Sequence, residues 1–331
     1  MFAGRLAVVN PERECRGSGM HELVAEVWRS EFLESVHHGS VVALDGAGGV
    51  AFAVGQPDAA MFPRSSNKPL QATAMVRAGL DLDGELLALA CASHSGEPFH
   101  IDGVRRILAG AGRTEEDLRC TEGLPIGERA LHGYLARGGA ATPLYMNCSG
   151  KHAAMIATCV RNGWPVETYL RPEHPLQRAI RDTVEDLAAE RVAAVGVDGC
   201  GAPLFALTLT GLARAFGRLA ASAGDGAEGR VASAMRAHPE WVGGTGRDVT
   251  SLMRAVPGAV AKDGAEGVYA VGLPSGAAVA LKIADGSGRA RPVVAAAALA
   301  RLGVPAESLG ELATAPVLGH GEPVGAVRAT I

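Results

Sequence analysis

The stretch MFPRSSNKPLQA, residues 61–72, decides how the rest of the chain is read. It opens a helix. From Lys68 onward apolar residues recur at three-to-four spacing, and Pro69 is tolerated in a first turn because the first helical amides have no intrahelical partner. With Ser66 as the expected cap, Pro69 falls at the third helical position. Ser65 and Lys68 then stand three residues apart on one face. A serine hydroxyl is a weak nucleophile until a neighbouring base takes its proton. A lysine whose charge is disfavoured by burial and by a nearby cation, here Arg64, can be that base. The helix start also favours negative charge developing beside Ser65. The same letters spell an ordinary capped helix start, so the motif needs company.

Working outward, residues 21–54 alternate apolar and polar side chains and break at Asp45-Gly46-Ala47-Gly48, which reads as antiparallel strands around a turn. KPLQATAMVRAG, HIDGVRRILAGAG, GKHAAMIATCVRNG and HPLQRAIRDTVEDLAAE carry helical periodicity. RVAAVGVDGCG (191–201) reads as a short buried strand entering a glycine turn, and LFALTLTGLARAFGRLA as the helix after it. ASAGDGAEG (221–229) reads as a flexible loop. YAVGLPSGAAVALKI (269–283) reads as a hairpin, RPVVAAAALARLG as a helix, and the remainder to Ile331 as turn-rich. Strands at both ends and helices between them predict an α+β fold, an antiparallel sheet built from both chain ends with a helical insertion. Residues 21–331 form one unit in this reading, with sheet parts at about 21–64 and 262–331 and a helical part at about 65–261. A functional cleft is expected between the two parts.

Composition narrows the function. The chain has 331 residues, enough for a large core, with 48% hydrophobic and 20% charged residues. A net charge of −4 without a basic run argues against a nucleic-acid partner. The apolar run VVAAAALA (293–300) is far shorter than the roughly 20 residues of a membrane span. The apolar patch before Asn10 is too short for a secretory leader, so the cytoplasm is the expected location. Six cysteines in a chain this long do not suggest a disulfide scaffold.

Four further stretches gather reactive side chains. CASHSGE (91–97) places Ser93 and His94 in a turn after an apolar run. YMNCSGKHAAM (145–155) places Cys148, Lys151 and His152 at a helix start, and VDGCGAP (197–203) places Asp198 and Cys200 at a strand end. From spacing alone, two sulfurs leave a zinc shell short of four ligands, and buried free cysteines are the expectation. AKDGAEGVYAVGLPSG (261–276) sets Lys262 before a glycine and a strand, where a Ser-x-x-Lys hydrolase often carries Lys-Thr-Gly.

Together these five stretches, in this order, resemble the asparaginase II type family, zinc-containing bacterial asparaginases with a serine β-lactamase/glutaminase-like fold. The resemblance runs from about Leu23 to the C-terminus and rests on RSSNKPLQA, CASHSGE, NCSGKHAAM, VDGCGAP and KDGAEGV. Residues 1–20 match nothing in the family and are expected to be an extension. The resemblance implies two Ser-Lys pairs, Ser65 with Lys68 and Ser93 with Lys262. It implies Cys148, Lys151 and Cys200 as zinc ligands, with water completing the shell, and His152 and Asp198 around the metal and substrate. The implied reaction is hydrolysis of L-asparagine to L-aspartate and ammonia through an acyl-serine. Ser65 is the favoured nucleophile, Ser93 a proton relay and Lys262 a source of positive charge. Free asparagine carries both charges, which makes Arg64 and Asp198 candidates for binding it. The expected partners are this small molecule and a second copy of the chain in a homodimer, without nucleic acid or membrane.

Two other readings remain. A β-lactamase or penicillin-binding type serine hydrolase shares Ser-x-x-Lys, but Ser-Asp-Asn and a proper Lys-Thr-Gly are missing. A non-catalytic zinc or redox module built on Cys148 and Cys200 leaves Ser65, Lys68 and Lys262 unexplained.

Overall fold

A computed structural model describes residues 21–331. The expected extension 1–20, with Cys15, lies outside the described residues.

The N-terminal part supplies β1 (Glu22–Arg29), β2 (Phe32–Leu44) and β3 (Val50–Val54). A separate two-stranded ribbon, β4 (Val195–Val197) with β5 (Pro203–Phe205), lies in the middle of the chain. The C-terminal part supplies β6 (Val260–Asp263), β7 (Val268–Gly272), β8 (Ala278–Ile283), β9 (Ala315–Gly319) and β10 (Glu322–Ala329). The main sheet runs β6-β7-β8-β2-β1-β10-β9, with β3 also on β2. Its pairings are antiparallel, and the two chain ends meet in it, with Ala25 opposite Ala329. The expected layout, a sheet from both ends around a helical insertion, is the one observed.

The insertion holds α1 (Lys68–Arg77), α2 (Gly84–Ala90), α3 (Pro98–Gly110), α4 (Glu128–Ala136), α5 (Ser149–Asn162), α6 (Pro175–Ala188), α7 (Leu209–Ala221), α8 (Ala227–Ala237), α9 (Pro239–Val242) and α10 (Asp248–Ala255). α11 (Arg291–Arg301) follows the sheet hairpin. α7 and α11 both pack on β7 and β8. All of β7 is buried, and VYAVG accordingly reads as an unbroken apolar run instead of an alternating strand.

Five local expectations change. Ser66 is not the cap: a 3₁₀ turn, Arg64–Asn67, precedes α1, Asn67 takes the cap position, and Pro69 is the second helical residue. The Ser66 hydroxyl donates back to the Pro63 carbonyl at 2.6 Å, satisfying locally what a cap would have used. β4 is a strand but not a buried one, since Val195 and Val197 are 45% and 79% exposed on a ribbon of only two strands. The helix expected from Leu204 starts at Leu209, where the Thr208 side chain caps it by accepting from the Gly211 amide, so the apolar letters before it form β5. The tail after residue 310 is not merely turns: β9 and β10 complete the sheet beside β1. The loop expected at 221–229 shortens, because α8 already begins at Ala227.

Candidate active site

Ser65 lies in the 3₁₀ turn and is half-buried, while Lys68, the first residue of α1, is buried. Arg64, just before Ser65, has φ of +52°, a conformation that an L side chain adopts at a cost of about 1 kcal/mol or more. Its Nε donates to Asp198 Oδ1 at 2.8 Å, an ion pair that ties the Ser65 turn to the loop carrying Cys200.

The Lys68 side chain crosses to the segment after α2. Its Nζ donates to the Ala92 carbonyl at 2.5 Å and to Ser93 Oγ at 3.0 Å. Ser93 is 5% exposed, and its amide is held by the Val242 carbonyl. The structure thus joins Lys68, three residues after Ser65, to Ser93. Lys68 hydrogen-bonds Ser93; among the described residues the Ser65 hydroxyl has no hydrogen-bond partner.

Lys262 stands on β6, fully buried, within electrostatic reach of Lys68. Its Nζ donates to its neighbour Asp263, to the main-chain oxygen at 2.7 Å and to the carboxylate. It makes no hydrogen bond to Ser93. Burial, then the nearby Lys68 and Arg247, lower its pKa to about 8 against the pull of Asp263. The adjoining Gly264 explains how the strand end reaches the serine turn. A Cβ there would sit 2.6 Å from the Pro63 carbonyl oxygen and 3.2 Å from the Ser66 amide, so only glycine lets β6 lie against the backbone on either side of Ser65.

The sulfur group assembles from two other places. Cys148 caps α5, and Lys151 and His152 follow on its first turn. Gly150 presses that turn onto the end of α2, where a Cβ would meet the Leu89 carbonyl at 2.6 Å. This packing sets α5 beside the segment bearing Ser93. Cys200 sits in a turn closed by the Gly201 amide on the Asp198 carbonyl at 2.8 Å. Lys151 Nζ donates to Cys200 Sγ at 3.2 Å. The neighbouring Cys148 thiol, and the charge of Lys151 against the opposing effect of burial, hold the Cys200 thiol far below its usual range. Burial opposes the Lys151 charge, yet Cys200, Cys148 and Asp198 together raise its pKa. His152 Nδ1 bonds the Tyr169 hydroxyl at 2.7 Å, while its buried Nε2 feels Cys200 electrostatically without a hydrogen bond. Lys68 also acts electrostatically on Cys148, so amines and sulfurs form one site.

Among the described residues no group of three or more His, Cys, Asp or Glu side chains could hold a metal. A zinc shell here therefore needs the Lys151 nitrogen besides the two sulfurs. These three donors converge, and their chemistry suits zinc once the amine is neutral.

Sequence reasoning passed over two participants, Asp263 and Arg247, and singled out His94 without its partner. Asp263 follows Lys262 directly and bonds it. Arg247 Nη2 donates to Asp263 Oδ2 at 2.8 Å. His94 Nε2 lies 2.8 Å from Ser149 Oγ, a buried link between the Ser93 segment and α5; burial pushes that imidazole well below its usual pKa. Burial likewise pushes the Cys91 thiol up to about 12, which removes it as a nucleophile. A cleft of about 550 Å³ on α6, lined by Asp182, Glu185, Asp186 and Glu190, contains none of the site residues.

Among the described residues no helix is long and apolar enough to cross a membrane. No curated protein matches the chain. Solved structures similar to it include a β-lactamase from Mycobacterium bovis, 14% identical, with 80% of this chain and 95% of that chain covered at a TM-score of 0.41. Mglu in its native form is 15% identical, with 80% of this chain and 63% of that one covered at a TM-score of 0.36. The family model described as L-asparaginase II matches residues 25–329. That span includes every residue of the site above and supports a hydrolase acting on amides. The chain belongs to the L-asparaginase II family.

Proposed function

We propose that the protein is an L-asparaginase that hydrolyses L-asparagine to L-aspartate and ammonia through an acyl-serine. The observation that carries the reading is the buried Lys68 amine, bonded to Ser93 at 3.0 Å and placed one turn after the half-exposed Ser65. The bonds to Ala92 and Ser93 use two N–H groups of that amine. Its remaining position, a lone pair when the amine is neutral, is free to take the Ser65 proton. Ser65 Oγ then attacks the side-chain amide carbon of the substrate. The proton passes from Lys68 through Ser93 to the leaving nitrogen, and ammonia departs. Water hydrolyses the aspartyl ester by the same route in reverse. Lys262, in its charged form, stabilises the negative charge that builds on the amide oxygen.

Arg64 and Asp198 bind the α-carboxylate and α-amino group, with His152 beside them. Cys148, Lys151 and Cys200 would hold zinc, which would supply a fixed open coordination position for one end of the amino acid. Two thiolates already neutralise such a centre, so positioning and not water activation is its role.

The test is direct. The purified protein is incubated with L-asparagine, L-glutamine and a chromogenic β-lactam, and ammonia release and ring opening are followed. Ammonia from asparagine is expected. Ring opening without ammonia would replace this reading with that of a β-lactam hydrolase, and no turnover of any kind would favour a non-catalytic module.

A further inference from the structure

Lys262 and Asp263 are consecutive residues of one strand, yet both side chains are buried, and the lysine turns back onto its neighbour. Consecutive strand residues normally point to opposite faces. Here the strand ends at Asp263, and the chain beyond it is gripped from two sides. Arg247, just before α10, donates to Asp263 Oδ2 at 2.8 Å. Arg291, at the start of α11, donates to the Gly264 carbonyl at 2.8 Å, lies 3.9 Å from Asp263 Oδ2 and pairs with Asp248 at 3.2 Å. One carboxylate therefore faces the lysine with Oδ1 and the arginines with Oδ2. The charges around it, chiefly Lys262, then Arg247 and Arg291, hold the Asp263 carboxyl well below the usual carboxylate range against burial.

We propose that Asp263 is the positioning residue of Lys262: it fixes the lysine amine beneath the Ser65 turn and, balanced by Arg247, sets the pH at which that amine loses its charge. The proposal rests on the reading of Lys262 as the cation of the site. The other groups facing Lys262 are Lys68 from α1, Cys91 after α2, and Arg247, while Arg291 faces the far oxygen of Asp263. Lys68 and Cys91 contribute no fixed negative charge, since the Cys91 thiol stays protonated, so among the described residues Asp263 is the one carboxylate in hydrogen-bond contact with the amine. Its loss removes the attraction that keeps a fully buried ammonium charged, and Lys262 must then deprotonate at lower pH. Arg247 works the other way: it draws on the same carboxylate and repels the ammonium directly, so its removal lets Lys262 keep its proton to higher pH.

The experiment is the pH profile of kcat/KM for ammonia release from L-asparagine, in wild type and in Asp263→Asn, Arg247→Gln and Lys262→Met. Wild type should lose activity above about pH 8, where Lys262 discharges. Asp263→Asn should move that limb down by about one pH unit or more, the shift that a contacting opposite charge typically causes. Arg247→Gln should move it up. A purely structural role would lower the rate equally at every pH and leave the limb in place. If both variants keep the wild-type limb, or both move it the same way, Asp263 does not tune Lys262 and the proposal fails while the role of Lys262 stands. If Lys262→Met retains the wild-type limb, the limb belongs to another group and both readings fall. Arg247 is 24% exposed and is not in the catalytic set, so Arg247→Gln decides the matter should Asp263→Asn fold poorly.

Discussion

Replacing Ser93 by alanine removes one oxygen from a sealed part of the site, and its effects can be worked out separately for activity and stability. Ser93 Oγ accepts from Lys68 Nζ at 3.0 Å, within the range needed for direct proton transfer. If the proton that leaves Ser65 reaches the departing nitrogen by way of Ser93, its loss removes a positioned acid–base group, an effect of about 10²–10⁴ in rate. At about 1.4 kcal/mol per decade, that raises the barrier by about 3–5 kcal/mol. Stability responds less. Lys68 keeps its bond to the Ala92 carbonyl at 2.5 Å, and the lost bond is worth about 1.5–3 kcal/mol if the amine is charged and about 1 kcal/mol if it is neutral. The assay combines steady-state ammonia release, thermal unfolding and intact-mass spectrometry of enzyme quenched during turnover. Ser93→Ala should be slow, folded, and still acylated on Ser65. A folded Ser93→Ala protein within tenfold of wild type would refute the relay, and an acyl group found on Ser93 in wild type would reverse the roles of the two serines.

Ser65→Ala should abolish ammonia release in a folded protein, and Lys68→Met should be as damaging, with the double variant no worse than either alone because the pair acts as a unit; kinetics on the three proteins, with circular dichroism for the fold, checks this. Gly264→Ala should cut activity severely, since its Cβ would fall 2.6 Å from the Pro63 carbonyl and push the Ser65 turn away; a crystal structure of the variant should show that turn displaced, and an unchanged rate would sink the argument from close approach. Lys151→Ala should lower zinc content and raise KM more than it lowers kcat, read by elemental analysis of protein never exposed to chelator together with steady-state kinetics; wild-type protein without close to one zinc per chain would end the metal assignment.

The sheet was legible where alternating letters or a turn mark it. β1 and the first half of β2 were read from their alternation, and the wholly buried β7 with β8 from the Pro274-Ser275-Gly276 turn between them. The tail was not legible, because β9 and β10 are short or rich in glycine, proline and alanine, and their strand state comes from pairing with β1 and with each other. β5 was absorbed into the following helix because LFAL is equally apolar in both states, and only the Thr208 cap marks the boundary. In the site, residues that share a short stretch were easy to group, as at Cys148 and Lys151. Pairings across long distances were not. Spacing tied Lys68 to Ser65, yet the hydrogen bond it makes runs 25 residues further on to Ser93, because the buried amine finds acceptors only where the end of α2 passes α1. The His94–Ser149 link and the Asp263–Arg247 bond lie likewise beyond any local pattern.

One signal in the sequence carries more than any of its motifs. The chain has 31 basic residues besides histidine, and only four of them are lysines: Lys68, Lys151, Lys262 and Lys282. The other 27 are arginines. The first three lysines are each 1% exposed or less and all lie in the site, whereas Lys282 is half-buried and donates to the Glu266 carbonyl on the sheet. Positive charge on this protein's surface is thus supplied by arginine, whose guanidinium does not give up its proton. Lysine remains inside the site, where its amine is able to lose one. The surroundings of Lys151 and Lys262 then separate the proton affinities of those two. Lys151 meets sulfur, and its pKa rises against burial; at Lys262 burial, with Lys68 and Arg247 nearby, outweighs the pull of Asp263, and its pKa falls. Lys68 meets only neutral oxygens, a carbonyl and a hydroxyl, so its bonds leave its third position open to Ser65. Exchanging any of these for arginine would keep the charge and remove the ability to transfer or release a proton. Lys68→Arg should therefore be as inactive as Lys68→Met, whereas Lys262→Arg, at a position where charge alone is needed, should keep measurable ammonia release above pH 8. Equal inactivity of the two arginine variants at high pH would show that Lys262, too, must give up its proton.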